Sequence, residues 1–524
     1  MKQLINKKFI TGISLAALIF TGCSKDYLDI NNDPNRVTDE NVTPELIFTQ
    51  AEQAVGALPA NNYGFLDNWM GYFAPNGDFA PNQTEQTYKI DFSFSDPLWQ
   101  NSYNVLFDLY KAKQKALAQG NNVLAAANMI LSAKVFQELV DLYGNIPYSQ
   151  AFKTETYSTP TYDDAKTIYN DLLATLDTAV SYMDTAVAPT SFGKADIIAA
   201  GDQVKWTHFA NTLRLRLAIR QSQVSGFDHT GIMTAIQNSG GILTDGENVA
   251  VNPGYANDVN KQSPFFANFG YDPTGVKANT STGANDYIVS ILSSTNDPRL
   301  RRFFQPVGEN FNGNIYGDAT GSLFNGANTS YFGPGLIGDT AVGGTFVAGA
   351  TQAQWIYPAY EALFLKAEAV ARGWMSGDVK SAYEDAVTQS FIWLGAKYTP
   401  IRNAANTLDS ITFTPTQSAA IYLADSDNVN ANWIYAGSSV DDHVQFIVFQ
   451  KYIANTGVDP LESYSDERRL HFLPDGYIST NPAAVSNTLP LRLLYPQSEY
   501  TTNAASVGAE GSIDAFSSKI FWEP

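Results

Sequence analysis

At 524 residues the chain exceeds what one simple hydrophobic core serves, although a single large composite domain is within reach. A formal net charge of −20 opposes nucleic-acid backbones and anionic membranes, which excludes nucleic-acid binding. The 28 Tyr, 31 Phe and 8 Trp leave two readings open: surfaces that stack and hydrogen-bond neutral polar ligands, or tyrosine-rich packing.

Residues 1–22 have a basic start (Lys2, Lys7, Lys8) and an apolar run from Phe9 to Phe20, too short to span a bilayer as a mature helix. They read as an export signal. Gly22 precedes Cys23, the only cysteine of the chain, in the manner of a bacterial lipoprotein cleavage box. Cys23 is therefore expected to become the acylated N-terminus, and several acyl chains on one residue anchor firmly. With no second cysteine there is no intramolecular disulfide framework. Next, Asp29, Asn31, Asp33, Asn35 and Glu40 mimic the oxygen ligands of a calcium-binding EF-hand loop. Pro34 stands where such a loop needs positive φ, so the stretch is read as a capped, turn-rich lead-in rather than a calcium site.

Helical patterning predicts helices over Pro44–Val55, Pro97–Gln119, Asn122–Tyr143, Tyr162–Met183 and Gln203–Gln221. In the last of these, Arg216 and Arg220 share a face, and pairing with acids is their expected role. Two segments depart from the helical pattern. Residues 61–97 form a polar-aromatic loop region carrying Asp78, Asn82, Gln83 and Tyr88. Residues 252–354 mix Gly, Asn, Thr and Ser with aromatics, Tyr271, Tyr331 and Phe332 among them, with short helices expected at Asn285–Ser294 and Asp297–Phe304. A hundred residues without clear periodicity inside an ordered protein point to functional loops on a scaffold. Trp355–Gly395 then reads as two amphipathic helices joined through Gly373 and Gly377-Asp378, a helical hairpin of tetratricopeptide type. Helices at His443–Ala454 and Leu461–Leu470 and an irregular end from Pro474 complete the chain.

Motifs of catalysis fail on context. Gly333–Gly338 spells a dinucleotide-binding glycine loop, but no strand–turn–helix surrounds it and Pro334 lies inside. The four His are widely spaced, without an HExxH pair, and no GxSxG elbow occurs. No catalytic residue and no metal ligand is assigned, and the chain is read as a binding protein rather than an enzyme.

A set of landmarks in order along the chain carries a resemblance. These are Cys23 with the acidic opening from Asp26 to Asn35, Leu139–Tyr148 (LVDLYGNIPY) and Trp206–Arg220 (WTHFANTLRLRLAIR). The Trp355–Gly373 helix, Gln450-Lys451-Tyr452, Asp466–Arg469 and Arg492–Asn503 follow. In these the chain resembles the SusD/RagB-like outer-membrane lipoproteins of Bacteroidetes, in their second, SusD-like branch. The resemblance implies a mainly α fold for residues 23–524, with about four tetratricopeptide-like helix pairs supporting a loop-rich remainder. It also implies a lipoprotein on the outer face of the outer membrane that captures oligosaccharides for a SusC-like TonB-dependent transporter. Capture of peptides or another polymer, and a structural lid without a ligand site of its own, stand as alternatives. A sugar ring needs aromatic platforms flanked by amides and acids, so the expected ligand-binding residues are Asp78, Asn82, Gln83, Tyr88, Tyr271, Tyr331 and Phe332. No cofactor is expected.

Overall fold

The structure, a computed structural model, describes residues 42–80, 82–321, 323–339, 347–398 and 413–524. The export signal, Cys23 and the 29–40 stretch lie outside the described residues. Ten helices of ten residues or more occur among the described residues: α1 (Pro44–Asn62), α2 (Asp96–Ala118), α3 (Asn122–Tyr143), α4 (Ala165–Thr185) and α5 (Gln203–Arg220), then α6 (Ala359–Ala371), α7 (Val379–Leu394), α8 (Pro415–Ala424), α9 (Val440–Ala454) and α10 (Pro460–Leu470). Their starts are written in the sequence. Asn121, Asp164, Asp202, Asp378 and Asp459 each accept a backbone N–H of the following first turn, and Thr414 and Ser439 close full capping boxes. Gly395, in the left-handed conformation, ends α7.

The helices pack as neighbours in chain order. α1 lies on α2, α3 on α4, α5 on the short helix Thr230–Asn238, and α6 on α7, giving four helix pairs, while α9 and α10 close against α6 and α5. α3 is apolar and long enough to cross a membrane by composition, yet 94% of its apolar window is buried between α2, α4 and α5. It is the central helix of the scaffold, which explains its nearly continuous apolar run.

Among the described residues, three two-stranded antiparallel pieces pin the loops. They are β1 (Phe73–Pro75) with β5 (Thr282–Ala284), β2 (Ile146–Pro147) with β3 (Tyr162–Asp163), and β4 (Val249–Val251) with β6 (Gln354–Tyr357). Two of them shift expected helix starts. Tyr162 and Asp163 pair as a strand, so α4 begins at Ala165, and Trp355–Tyr357 is a buried strand, so α6 begins after Pro358. The helices at Thr230–Asn238 and Pro415–Ala424 were not expected from the sequence. Within residues 252–354 the short helices Asp286–Ser294 and Leu300–Phe303 fall where patterning placed them.

The β4–β6 pair crosses α1 at Gly56, where a Cβ would stand 2.7 Å from Val251 Cγ2. Gly56→Ala is therefore expected to cost about 1–3 kcal/mol through overpacking, read as a lower urea midpoint at unchanged m-value.

The arginines of α5 are buried, and their pairing with acids is observed. Arg220 reaches Asp141 of α3 at 3.2 Å and Glu462 of α10 at 2.6 Å. Lys451 of α9 joins the same centre, 2.9 Å from Glu462 and 2.6 Å from Asp466. Arg469 bridges Asp466 to Glu368 of α6. Burial pushes the Glu462 and Glu368 carboxyls up, but the surrounding cations outweigh it: Arg220 and Lys451 hold Glu462 below its ordinary range, and Arg469 and Arg372 hold Glu368 at about 2. One ionised network thus ties together α3, α5, α6, α9 and α10.

Candidate functional site

The two loop segments singled out in the sequence meet. β1, from residues 61–97, and β5, from residues 252–354, pair with Phe73 opposite Ala284, Ala74 opposite Gly283 and Pro75 opposite Thr282. Apolar Phe73 and Ala284 anchor this pair in the core, and the chain leaving β1 turns outward through Asn76, Gly77 and Asp78.

Asn76 builds the turn. Its backbone N–H donates to Ser281 O, its side-chain amide donates to Thr280 O at 2.7 Å, and its Oδ1 accepts the Asp78 N–H at 3.1 Å. Gly77 N–H donates to Phe324 O, and Asp78 Oδ2 accepts the Gly326 N–H at 2.8 Å. The turn after β1 is therefore tied to the 323–327 loop on one side and to residues 280–281 on the other. Gly326 leaves the close approach open, because a Cβ there would stand 3.0 Å from Asp78 Oδ2.

Between these segments opens a cavity of about 330 Å³, at the small end of the ~300–1,000 Å³ usual for ligand pockets. Tyr331 lines it, with its hydroxyl donating to Gly270 O at 3.1 Å and accepting the Asn279 N–H at 3.3 Å. Burial raises the pKa of that phenol, so it stays neutral. The Lys277 ammonium lies 4.3 Å from the Tyr331 ring centroid, and burial lowers its pKa. Phe79, 49% exposed, stands at the cavity, and Phe324, 43% exposed, lies on the loop hydrogen-bonded to Gly77. The arrangement offers an aromatic face, a carboxylate, an amine and hydroxyl and amide groups within one small cleft. It suits a neutral ligand with apolar faces and a polar rim.

The expected residues divide. Asp78 and Tyr331 line the cavity, and Tyr271, half-buried, packs edge-on against Tyr331 with centroids 5.9 Å apart. Asn82 caps the short helix Gln83–Gln86 by accepting the Glu85 N–H, and Gln83 is exposed on that helix; neither lines the cavity. Tyr88 and Phe332 need correcting. Tyr88 is 1% exposed, edge-on to Trp69, with its hydroxyl accepting the Ser479 N–H, and Phe332 is fully buried against Phe73 and Phe269. Both rings are core, with no face open to a ligand. Conversely, Asn76, Phe79, Lys277, Asn279 and Thr329 line the cavity and were not expected. Phe79 was within reach of sequence reasoning, as an aromatic directly after Asp78. Lys277 was not, because only the fold sets it over Tyr331.

The SusD-like family model, described as starch-binding and associating with the outer membrane, matches residues 34–496. No curated protein sequence matches the chain. Among solved structures, the chain is similar to a chitin-binding SusD homologue from Flavobacterium johnsoniae at 22% identity and TM-score 0.71, over 91% of this chain and 98% of that one. A SusD homologue from Bacteroides fragilis is 21% identical with TM-score 0.70, over 92% and 100%. A SusD/RagB family protein from Bacteroides thetaiotaomicron is 21% identical with TM-score 0.68, over 92% and 99%.

Proposed function

The chain belongs to the SusD-like family, and on that premise we propose that it captures oligosaccharides at the outer surface of the outer membrane and delivers them to a SusC-like TonB-dependent transporter. Acylated Cys23 would hold it there, and no chemical step on the ligand is part of the proposal. The observation that carries this reading is the cavity where residues 61–97 and 252–354 meet, with the exposed ring of Phe79 beside Asp78, Lys277 and the Tyr331 floor. A pyranose presents C–H faces to a ring and hydroxyls to such groups, and it needs no net charge in its site. The chitin-binding relative from Flavobacterium johnsoniae supports a glycan as the ligand class.

The test is calorimetry and tryptophan fluorescence of the chain from Ser24 onward with chitohexaose, maltohexaose, xylohexaose, cellohexaose and a peptide panel. A glycan is expected to bind, and Phe79→Ala, which removes an exposed ring and leaves the core intact, is expected to weaken it about tenfold. Binding of peptides alone would replace the glycan by a peptide. No binding at all, with transport still impaired by deletion, would leave a structural lid of the transporter.

A further inference from the structure

We propose a second carbohydrate subsite, resting on the glycan reading above, in the cleft between α2 and the residues that follow α3. Four aromatic residues of α2, Trp99, Tyr103, Phe107 and Tyr110, recur at spacings of four, four and three and so form one ridge about 16 Å long. Phe152 lies across that ridge, with its ring centroid 6.1 Å from Tyr103, 5.9 Å from Phe107 and 5.5 Å from Tyr110. Its φ is +65°, in the left-handed region that bulky side chains rarely enter and that only surrounding structure maintains. A phenylalanine held there is placed by the fold rather than by its own preference.

Ala151 and Phe152 line two cavities, one of about 350 Å³ and one of about 380 Å³. The 350 Å³ cavity carries groups that suit a sugar. Tyr103 and Phe152, each half-buried, supply rings with the buried Trp99 packed behind Tyr103, and Gln100 and Asn104, one helical turn apart and exposed, supply amides beside them. Ser498 Oγ lines it without a hydrogen-bond partner among the described residues. Glu499 is its only charged lining group among the described residues, and that carboxylate already accepts the Tyr162 hydroxyl at 2.7 Å. With Glu499 as the sole charge among its described lining residues, this cavity disfavours an anionic ligand and admits a neutral polyol, while Lys113 and Lys153 line the neighbouring 380 Å³ cavity. The 330 Å³ cavity of the proposed function is lined by the turn after β1, by β5 with the residues before it, and by residues 326–331, and none of its lining residues lines this cleft. The chain would therefore hold two sugar-sized sites on different elements, and only an oligosaccharide long enough to engage both gains affinity by multivalency.

The experiment uses the full chain with the same four hexasaccharides, adding Gln100→Ala, Asn104→Ala and Phe152→Gly to Phe79→Ala. The first two remove exposed side chains, and glycine keeps the backbone conformation of residue 152 while deleting its ring. The hexasaccharide that binds is expected to show two binding events, of which Phe79→Ala spares one. Asn104→Ala or Phe152→Gly is expected to weaken that spared event about tenfold, with the circular dichroism spectrum unchanged. A single event lost in Phe79→Ala and indifferent to the other three variants overturns the second subsite and leaves the proposed function standing. Silence of the unaltered chain towards all four hexasaccharides overturns both.

Discussion

Arg220→Ala is expected to lower the unfolding free energy by about 3–5 kcal/mol, the largest single effect forecast for this chain. The Arg220 side chain is 2% exposed, and it faces Asp141, Glu462 and Asp466, none more than 2% exposed. Asp141 also accepts from Trp522 Nε1 at 2.9 Å and from the Tyr169 hydroxyl, so the site ties the C-terminal segment and α4 to α3. Deleting the guanidinium leaves Glu462 with Lys451 and Asp466 with Lys451 and Arg469, but strips Asp141 of its one ion pair among the described residues. An uncompensated buried charge is far costlier than a lost contact, which is why truncation and not the net worth of the pairs sets the magnitude. With folded domains stable by only about 5–15 kcal/mol, the variant is expected to unfold at a much lower urea concentration and to accumulate poorly. Arg220→Lys keeps the charge without the planar fork and is expected to lose less. Equal urea midpoints for the unaltered chain and Arg220→Ala would show that the network contributes nothing measurable.

The second expectation concerns pH. Burial pushes the Glu467 carboxyl up to about 7, against the lowering pull of hydrogen bonds from the Leu473 N–H, the Tyr477 hydroxyl and the Phe472 N–H. Asp466, next in the chain, adds to the rise, while His471 Nδ1 lies 3.9 Å away on a largely exposed ring. A folded-state pKa above the unfolded value of about 4.3 means that the folded chain holds the proton more tightly. The associated stability is fully present below pH ~4.3 and is lost as pH rises through about 7. A rise of that size corresponds to about 3 kcal/mol at pH 8. Asp459, raised to about 6 by burial, acts in the same direction over a lower window. Glu462 and Glu368, held low, act oppositely and lose their contribution only in acid. Glu467→Gln keeps an acceptor for the two backbone N–H groups and cannot ionise. It is expected to flatten the stability profile between pH 5 and 8 and to exceed the unaltered chain at pH 8 by up to about 3 kcal/mol. Parallel profiles for the two chains, from urea unfolding at pH 5, 6, 7 and 8, would refute this.

The helical scaffold was legible because its signals are local. α3 begins at Asn122 and ends at Tyr143 as patterning predicts, since Asn121 caps the start and Gly144 follows the last turn. α5 ends within a residue of expectation, and the shared face of Arg216 and Arg220 follows from helical spacing alone. Where the prediction slipped, a distant partner decided. Trp355–Tyr357 has the apolar content of a helix start, but Val249–Val251, a hundred residues earlier, claims it as a strand.

The chain's own pattern of residues determined the helices, the two loop regions and the acid partners expected for the α5 arginines, because capping, periodicity and charge act over a few residues. Only the tertiary structure decided which aromatics face outward. Tyr88 and Phe332 look like Phe79 in composition, yet long-range packing on Trp69 and Phe73 buries the first two and leaves Phe79 at the cavity. Exposure is a property of what packs on a side chain from elsewhere in the chain, and no local rule encodes it.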